Sequence, residues 1–86
     1  MLFKEYLLED LKRYWTITEV AQELKIQTST IRYWEQEFPK CKPKLRYKDN
    51  GWRKYTLKDR NFIHKIHYLL HVQRYTIEGA KKVLNG

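Results

Sequence analysis

Disulfides are excluded at the outset, because Cys41 is the only cysteine among 86 residues. A lone thiol cannot close an internal bridge, so a reducing cytoplasm is the expected compartment. No run is long and apolar enough to cross a bilayer, and Lys4, Glu5, Glu9 and Asp10 put charges where a secretory leader would be apolar. No membrane partner is expected. Glycine is scarce, at three residues, and none builds a phosphate-cradling loop. Neither a Ser/His/Asp arrangement nor an identifiable carboxylate pair stands in a catalytic context, so no enzyme and no cofactor are expected. Internal repeats, low-complexity tracts and flexible linkers are missing too.

Acidic residues run short in one stretch. Residues 1–39 hold seven Asp/Glu against five Lys/Arg, whereas residues 40–60 hold two Asp against nine Lys/Arg. A surplus confined to one stretch makes a patch, and a patch sets up a directional field for a polyanion. Charge alone leaves nucleic acid, acidic lipid and plain solubility equally open. Just ahead of the patch lies Thr28-Ser29-Thr30-Ile31-Arg32-Tyr33-Trp34-Glu35. This hydroxyl-rich helix start, leading into an Arg-aromatic-aromatic turn, suits reading a nucleic-acid groove while neighbouring cations grip phosphates.

What is abundant is aromatic surface: three Trp, seven Tyr and three Phe. A chain this short buries only about two-thirds of the surface its unfolded form exposes, and large rings compensate by filling a small core. Leu2, Phe3, Tyr6, Leu7 and Leu11 recur at helical spacing, which predicts an N-terminal amphipathic helix within residues 1–13 that packs on the rest or docks a partner. Thr16-Ile17-Thr18-Glu19 fits a capping box opening a short helix to about Leu24, with Val20, Ala21 and Leu24 inward. After a turn at 25–27, a second helix is expected from Thr28 to Phe38, with Ile31, Phe38 and either Tyr33 or Trp34 inward, stopped by Pro39. Asn50-Gly51 predicts a tight hairpin turn between two short strands in the segment Pro43 to Tyr55. Thr56-x-x-Asp59 opens a third helix to Gln73, with Leu57, Ile63, Ile66, Leu69 and Leu70 on its apolar face. Thr76 caps a last helix to about Leu84, with Ile77, Ala80, Val83 and Leu84 inward.

Helix, short turn, helix, basic hairpin, helix, loop, helix is the order of a winged helix-turn-helix. The sequence resembles the MerR family of bacterial transcription regulators over residues 14–84. The resemblance rests on Tyr14-x-Thr16-Ile17-x-Glu19-Val20-Ala21, Thr30-Ile31-Arg32-Tyr33-Trp34-Glu35, Lys42-Pro43, Asn50-Gly51-Trp52-Arg53-x-Tyr55-Thr56 and Tyr75-Thr76-Ile77-Glu78-Gly79-Ala80 in that order and spacing. The fold class is therefore expected to be mainly α: a winged helix-turn-helix domain at 14–86 with a two-stranded β-hairpin wing, preceded by the extra helix at 1–13.

The resemblance implies a domain that binds double-stranded DNA in the bacterial cytoplasm, at the nucleoid. Residues 28–38 would enter the major groove with Ser29, Arg32 and Trp34 nearest the DNA, and Gly51 to Tyr55 would form a wing with Trp52 and Arg53 at the backbone. The side chains suit these roles. Arg32 can contact a guanine edge or a phosphate bidentately, and Thr28 and Ser29 sit at a helix N-terminus that favours anions. Lys44, Arg46, Lys48, Arg53 and Lys54 supply positive charge. Of the two neighbouring rings, Tyr33 is expected partly buried against the wing and Trp34 with its edge toward a phosphate. Against the Arg32 role stands a local ion pair with Glu35, three residues on. Trp52 is balanced between covering the hairpin and touching DNA, and Tyr55 is expected in the core.

Three positions depart from the family pattern. Lys25 and Arg74 stand where family members carry Gly, and Gln27 replaces a capping Ser or Thr, which shifts the expected cap to Thr28. Arg74 adds charge at the second wing. Family regulators continue into a dimerisation helix and a sensor domain, so a homodimer formed through further segments is implied. Phage excisionases share the winged fold and offer an architectural DNA-binding alternative; a protein-interaction module without nucleic acid is another. His64, His67 and His71 fall on one helical face, where an i,i+4 pair can chelate metal, but no fourth donor is placed near and no metal site is expected.

Overall fold

The computed structural model describes residues 14–85. The helix expected within 1–13 lies outside the described residues. Strand β1 (Tyr14–Trp15) leads into α1 (Ile17–Leu24) and α2 (Thr28–Glu37); a 3-10 turn (Pro39–Cys41) follows, then β2 (Leu45–Arg46) and β3 (Arg53–Thr56), α3 (Leu57–His67) running into a π-helical turn (Tyr68–Val72), and α4 (Ile77–Asn85). This is a winged helix-turn-helix whose small antiparallel sheet has three strands, in the order β1-β3-β2. The third strand is an addition to the expected hairpin. Tyr14 pairs with Thr56 and Trp15 with Tyr55, and two residues with no alternation to display carry too little pattern to be read in advance.

Two capping boxes start helices as their residues dictate. Thr16 Oγ1 accepts from the Glu19 amide (3.1 Å) while Glu19 accepts from the Thr16 amide (2.9 Å). Thr56 and Asp59 exchange the same pair of bonds at 3.1 Å each. The second helix differs: Gln27, not Thr28, occupies the cap position, and it makes no side-chain capping bond. Thr28 is already helical, so its hydroxyl is left for Arg32.

The α1–α2 turn closes as a Schellman motif. The amide of Lys25 donates to Gln22 O (3.2 Å) and that of Ile26 to Ala21 O (3.0 Å), which requires Lys25 in the left-handed region, at φ 56°. Arg74 is the other non-glycine residue with positive φ among those described, at 61°. It follows the π turn, where Gln73 N donates to Tyr68 O and Tyr75 N to Leu69 O. Both departures from glycine therefore fall on left-handed backbone. The expected α-helix to Gln73 is corrected in the same place: α3 ends at His67 and the chain widens through Val72.

Val20 and Ala21 of α1, Ile31, Trp34 and Phe38 around α2, Tyr55 of β3, Ile63 and Ile66 of α3, Leu69 and Ala80 meet in one core. Cys41, fully buried there, has its thiol pushed up to about 12, mainly by burial and then by the charges of Glu35 and Asp59. Two expected core residues are not in it. Leu57 is 52% exposed and Val83 is also exposed, because at 100° per residue each lies well off the stripe its helix buries, Ile63/Ile66 and Ile77/Ala80/Leu84.

Candidate nucleic-acid interface

The hairpin loop shapes the first part of the site. Leu45 pairs with Lys54 and Arg46 with Arg53, and Tyr47 N donates to Trp52 O (2.9 Å), leaving Lys48 to Gly51 as the loop. Gly51 alone has positive φ in it (71°), and its amide donates to Tyr47 O (2.9 Å). A two-residue Asn-Gly turn needs both residues left-handed. The expected tight turn is thus a longer one, in which the Asn50 side chain instead accepts from the Trp52 amide (2.9 Å).

Arg46 Nη1 donates to Gly51 O (3.1 Å) and braces this loop. Trp52, the residue after the loop, is 58% exposed. Lys54 lies with its ammonium 4.2 Å from the Tyr14 ring centroid and 5.2 Å from that of Tyr47, so it ties β1 to the hairpin. Lys44, Lys48, Arg74 and Lys40 are exposed and have no acidic partner among the described residues.

On α2, Ile31, Trp34 and Phe38 share the inward stripe. The two neighbouring aromatics are the reverse of the expected assignment. Trp34 is 2% exposed and Tyr33 is 48% exposed. The reason lies on α3 and the turn after it: His67 and His71, stacked on each other at 4.8 Å between centroids, lie 6.4 and 6.1 Å from the Trp34 ring and cover it. Trp34 is a core residue and offers no edge to an outside ligand. The third histidine points elsewhere, its Nε2 2.9 Å from Glu23 of α1, beside Arg60. Among the described residues no group of three or more His, Cys, Asp or Glu is placed to hold a metal ion.

Glu35 was not foreseen as a site residue except as a rival partner for Arg32. It is 4% exposed and turns toward β3. Arg53 Nε donates to both its oxygens (2.8 and 3.0 Å), and Tyr55 OH donates to Oε2 (2.5 Å). Burial, then this bond to a carboxylate, holds the Tyr55 phenol well above its ordinary range. The signal in sequence was a charged residue on an apolar stripe, four residues after Ile31 and three before Phe38. With Glu35 engaged, Arg32 is free of it. Arg32 is exposed and its only side-chain bond among the described residues is from Nη1 to Thr28 Oγ1 (3.3 Å).

These parts enclose a cleft of about 200 Å³ between the starts of α1 and α2 and the hairpin. Ile17, Thr18, Thr28, Arg32, Arg46, Gly51, Trp52 and Arg53 line it. Of its three guanidinium groups only Arg53 has an acidic partner among the described residues, so these residues give the cleft an uncompensated positive charge beside two helix N-termini, a setting that favours an anion. Thr28, Arg32, Arg46, Trp52 and Arg53 are thus brought together. Ser29 and Tyr33 lie exposed on the same helix, whereas Arg74 belongs to the separate loop before α4.

The model of the MerR helix-turn-helix family of regulatory proteins matches residues 15–86. No curated protein matches the chain. Among solved structures, a MerR-family transcriptional regulator from Bacillus cereus superposes with a TM-score of 0.65 at 19% identity, over 85% of this chain and 52% of that one. The chain thus spans about half the length of that regulator.

Proposed function

The chain belongs to the MerR helix-turn-helix family of regulatory proteins, and from that premise we propose that it binds double-stranded DNA sequence-specifically, with α2 in the major groove and the hairpin as a wing on the phosphate backbone. Arg32 is the base-reading residue, Ser29 and Tyr33 flank it, and Thr28 receives a phosphate at the helix start. Arg46, Arg53, Trp52, Lys44 and Lys48 grip the backbone. Lys54 contributes charge from its seat on Tyr14, and Arg74 reaches a second phosphate run from the loop before α4. One observation carries this reading: two guanidinium groups without acidic partners among the described residues, and a third whose terminal nitrogens have no partner among them, converge on a cleft that opens beside the start of α2.

Phosphate contacts set affinity and register, and base contacts set sequence. A reader of this size contacts few base pairs, so pairing of two copies through segments outside the described residues supplies the rest of the specificity, on a two-fold symmetric site. The resulting activity is transcription regulation in the cytoplasm. Selection from random duplexes with the chain, as monomer and as a fused dimer, tests the proposal. An enriched site, symmetric for the dimer, with binding that weakens steeply with salt, is the expected result. Absence of any duplex binding at low salt would refute it.

A further inference from the structure

Glu35 presents an apparent contradiction, since it sets a negative charge under a surface proposed to grip phosphates. A carboxylate costs several kcal/mol to bury unless it is paired and hydrogen-bonded, and here two donors, Arg53 Nε and Tyr55 OH, make three contacts with it at 3.0 Å or less. The way the bonds are distributed resolves the matter. Arg53 approaches Glu35 through Nε alone. Its two terminal nitrogens have no partner among the described residues, and the side chain lines the cleft shared with Arg32 and Arg46. A guanidinium held along its Nε edge keeps its plane fixed and its Nη pair turned outward, the edge that binds a phosphate bidentately. Tyr55, two residues along β3 and so on the same strand face, fixes the other oxygen's direction. Because Glu35 sits on the reading helix and Arg53 on the wing strand, the same contact sets the distance between the two.

We propose that Glu35 is a positioning residue for phosphate binding: it orients the Arg53 guanidinium toward the DNA backbone and locks the wing to the reading helix. This rests on the DNA-binding reading above. The role predicts a sign opposite to that of plain charge. Glu35→Gln removes a negative charge from beside the DNA and should tighten binding if charge were all that mattered.

The experiment measures affinity for a random-sequence duplex over a salt series, with the folded fraction of each variant established by circular dichroism. Glu35→Gln is expected to weaken binding about tenfold, the scale of a lost charge-assisted hydrogen bond. Arg53→Lys, at a partly exposed position where the charge stays but the fork is lost, is expected to weaken it similarly, and combining Glu35→Gln with Arg53→Gln should cost no more than Arg53→Gln alone. Unchanged or tighter binding by Glu35→Gln, wild-type-like binding by Arg53→Lys, or fully additive losses would each overturn the role. A second readout needs no DNA: the Arg53 Nε–H NMR signal should be slowly exchanging in the unmodified chain and lost in Glu35→Gln, and a fast-exchanging signal in the unmodified chain also overturns it. If that signal behaves as expected while no duplex is bound, the reading of the interface fails and the role in DNA binding falls with it.

Discussion

The imidazole of His71 lies 6.1 Å from the indole of Trp34, tilted at 51°, with His67 stacked at its back 4.8 Å away. A pair of imidazoles thus forms the cover over the largest side chain of α2. Burial first, then the neighbouring His71 and His64, lower the His67 pKa from its ordinary 6.5. The native state therefore binds fewer protons there than the unfolded chain does. Its stability contribution is full above about pH 6.5 and is lost as the pH falls through the lower native value. Thermal melts followed by circular dichroism should show the melting temperature dropping from neutral toward mildly acid pH, and His67→Gln should flatten that drop. Glu23 gives a separate window. Burial raises its pKa, but the bonds to Arg60 and His64 outweigh that and hold it below 4.5, so a second loss follows only at lower pH.

Trp34 and Trp52 should separate stability from binding. Trp34→Ala empties a core site and is expected to cost about 3–5 kcal/mol of stability, read by urea denaturation. Trp52→Ala, at a site 58% exposed, should leave the urea midpoint nearly unchanged and weaken duplex binding.

Lys25 and Arg74 both hold left-handed backbone, at φ 56° and 61°. A side chain there costs about 1 kcal/mol relative to glycine, partly offset by glycine's greater freedom in the unfolded chain. Lys25→Gly should therefore raise the stability measured by urea denaturation by a few tenths to about 1 kcal/mol. Lys25→Val, β-branched and poorly tolerated at positive φ, should lower it.

The proposed interface gives reading to Arg32 and gripping to Lys48. Arg32→Ala is expected to cost about 1–3 kcal/mol on a selected duplex and to relax discrimination at one position. Lys48→Ala should weaken all duplexes alike and reduce the slope of log K against log salt by about 1. Fluorescence anisotropy on selected and scrambled duplexes reads both.

Cys41 should be inert while the chain is folded. Its thiol is fully buried and pushed up to about 12, so the thiolate that reacts is scarce at pH 8. Labelling by a maleimide should proceed at the rate of unfolding and accelerate in urea, as mass spectrometry would show.

Much of the fold was legible because its signals are local. Thr16 with Glu19 and Thr56 with Asp59 close capping boxes whose partners sit three residues apart, and Pro39 ends α2 by its own ring and missing amide. Ile31 and Phe38, seven apart, mark a helical stripe without reference to anything else. The proposed interface was legible in outline for the same reason, since Arg32 and the lysines of the hairpin are named by charge and order along the chain. The Asn50-Gly51 signal placed the hairpin but not its length, because the turn's closure depends on which residues of β2 and β3 pair.

What only the tertiary structure decided is every choice between partners distant in sequence. Trp34 rather than Tyr33 went inward because α3 and the π turn after it bring His67 and His71 over it, more than thirty residues away. Glu35 turned from Arg32 to Arg53 and Tyr55 because β3 carries both of these side chains to within hydrogen-bonding reach of it. Tyr14 and Trp15 became a strand because β3 offered them an edge. By itself the sequence determined where the two capping-box helices begin, where charge concentrates and which family pattern the chain follows, since caps, breakers and periodicity act over a few residues. Which donors Glu35 takes was settled by packing, because a buried carboxylate takes the donors that the assembled fold puts within reach.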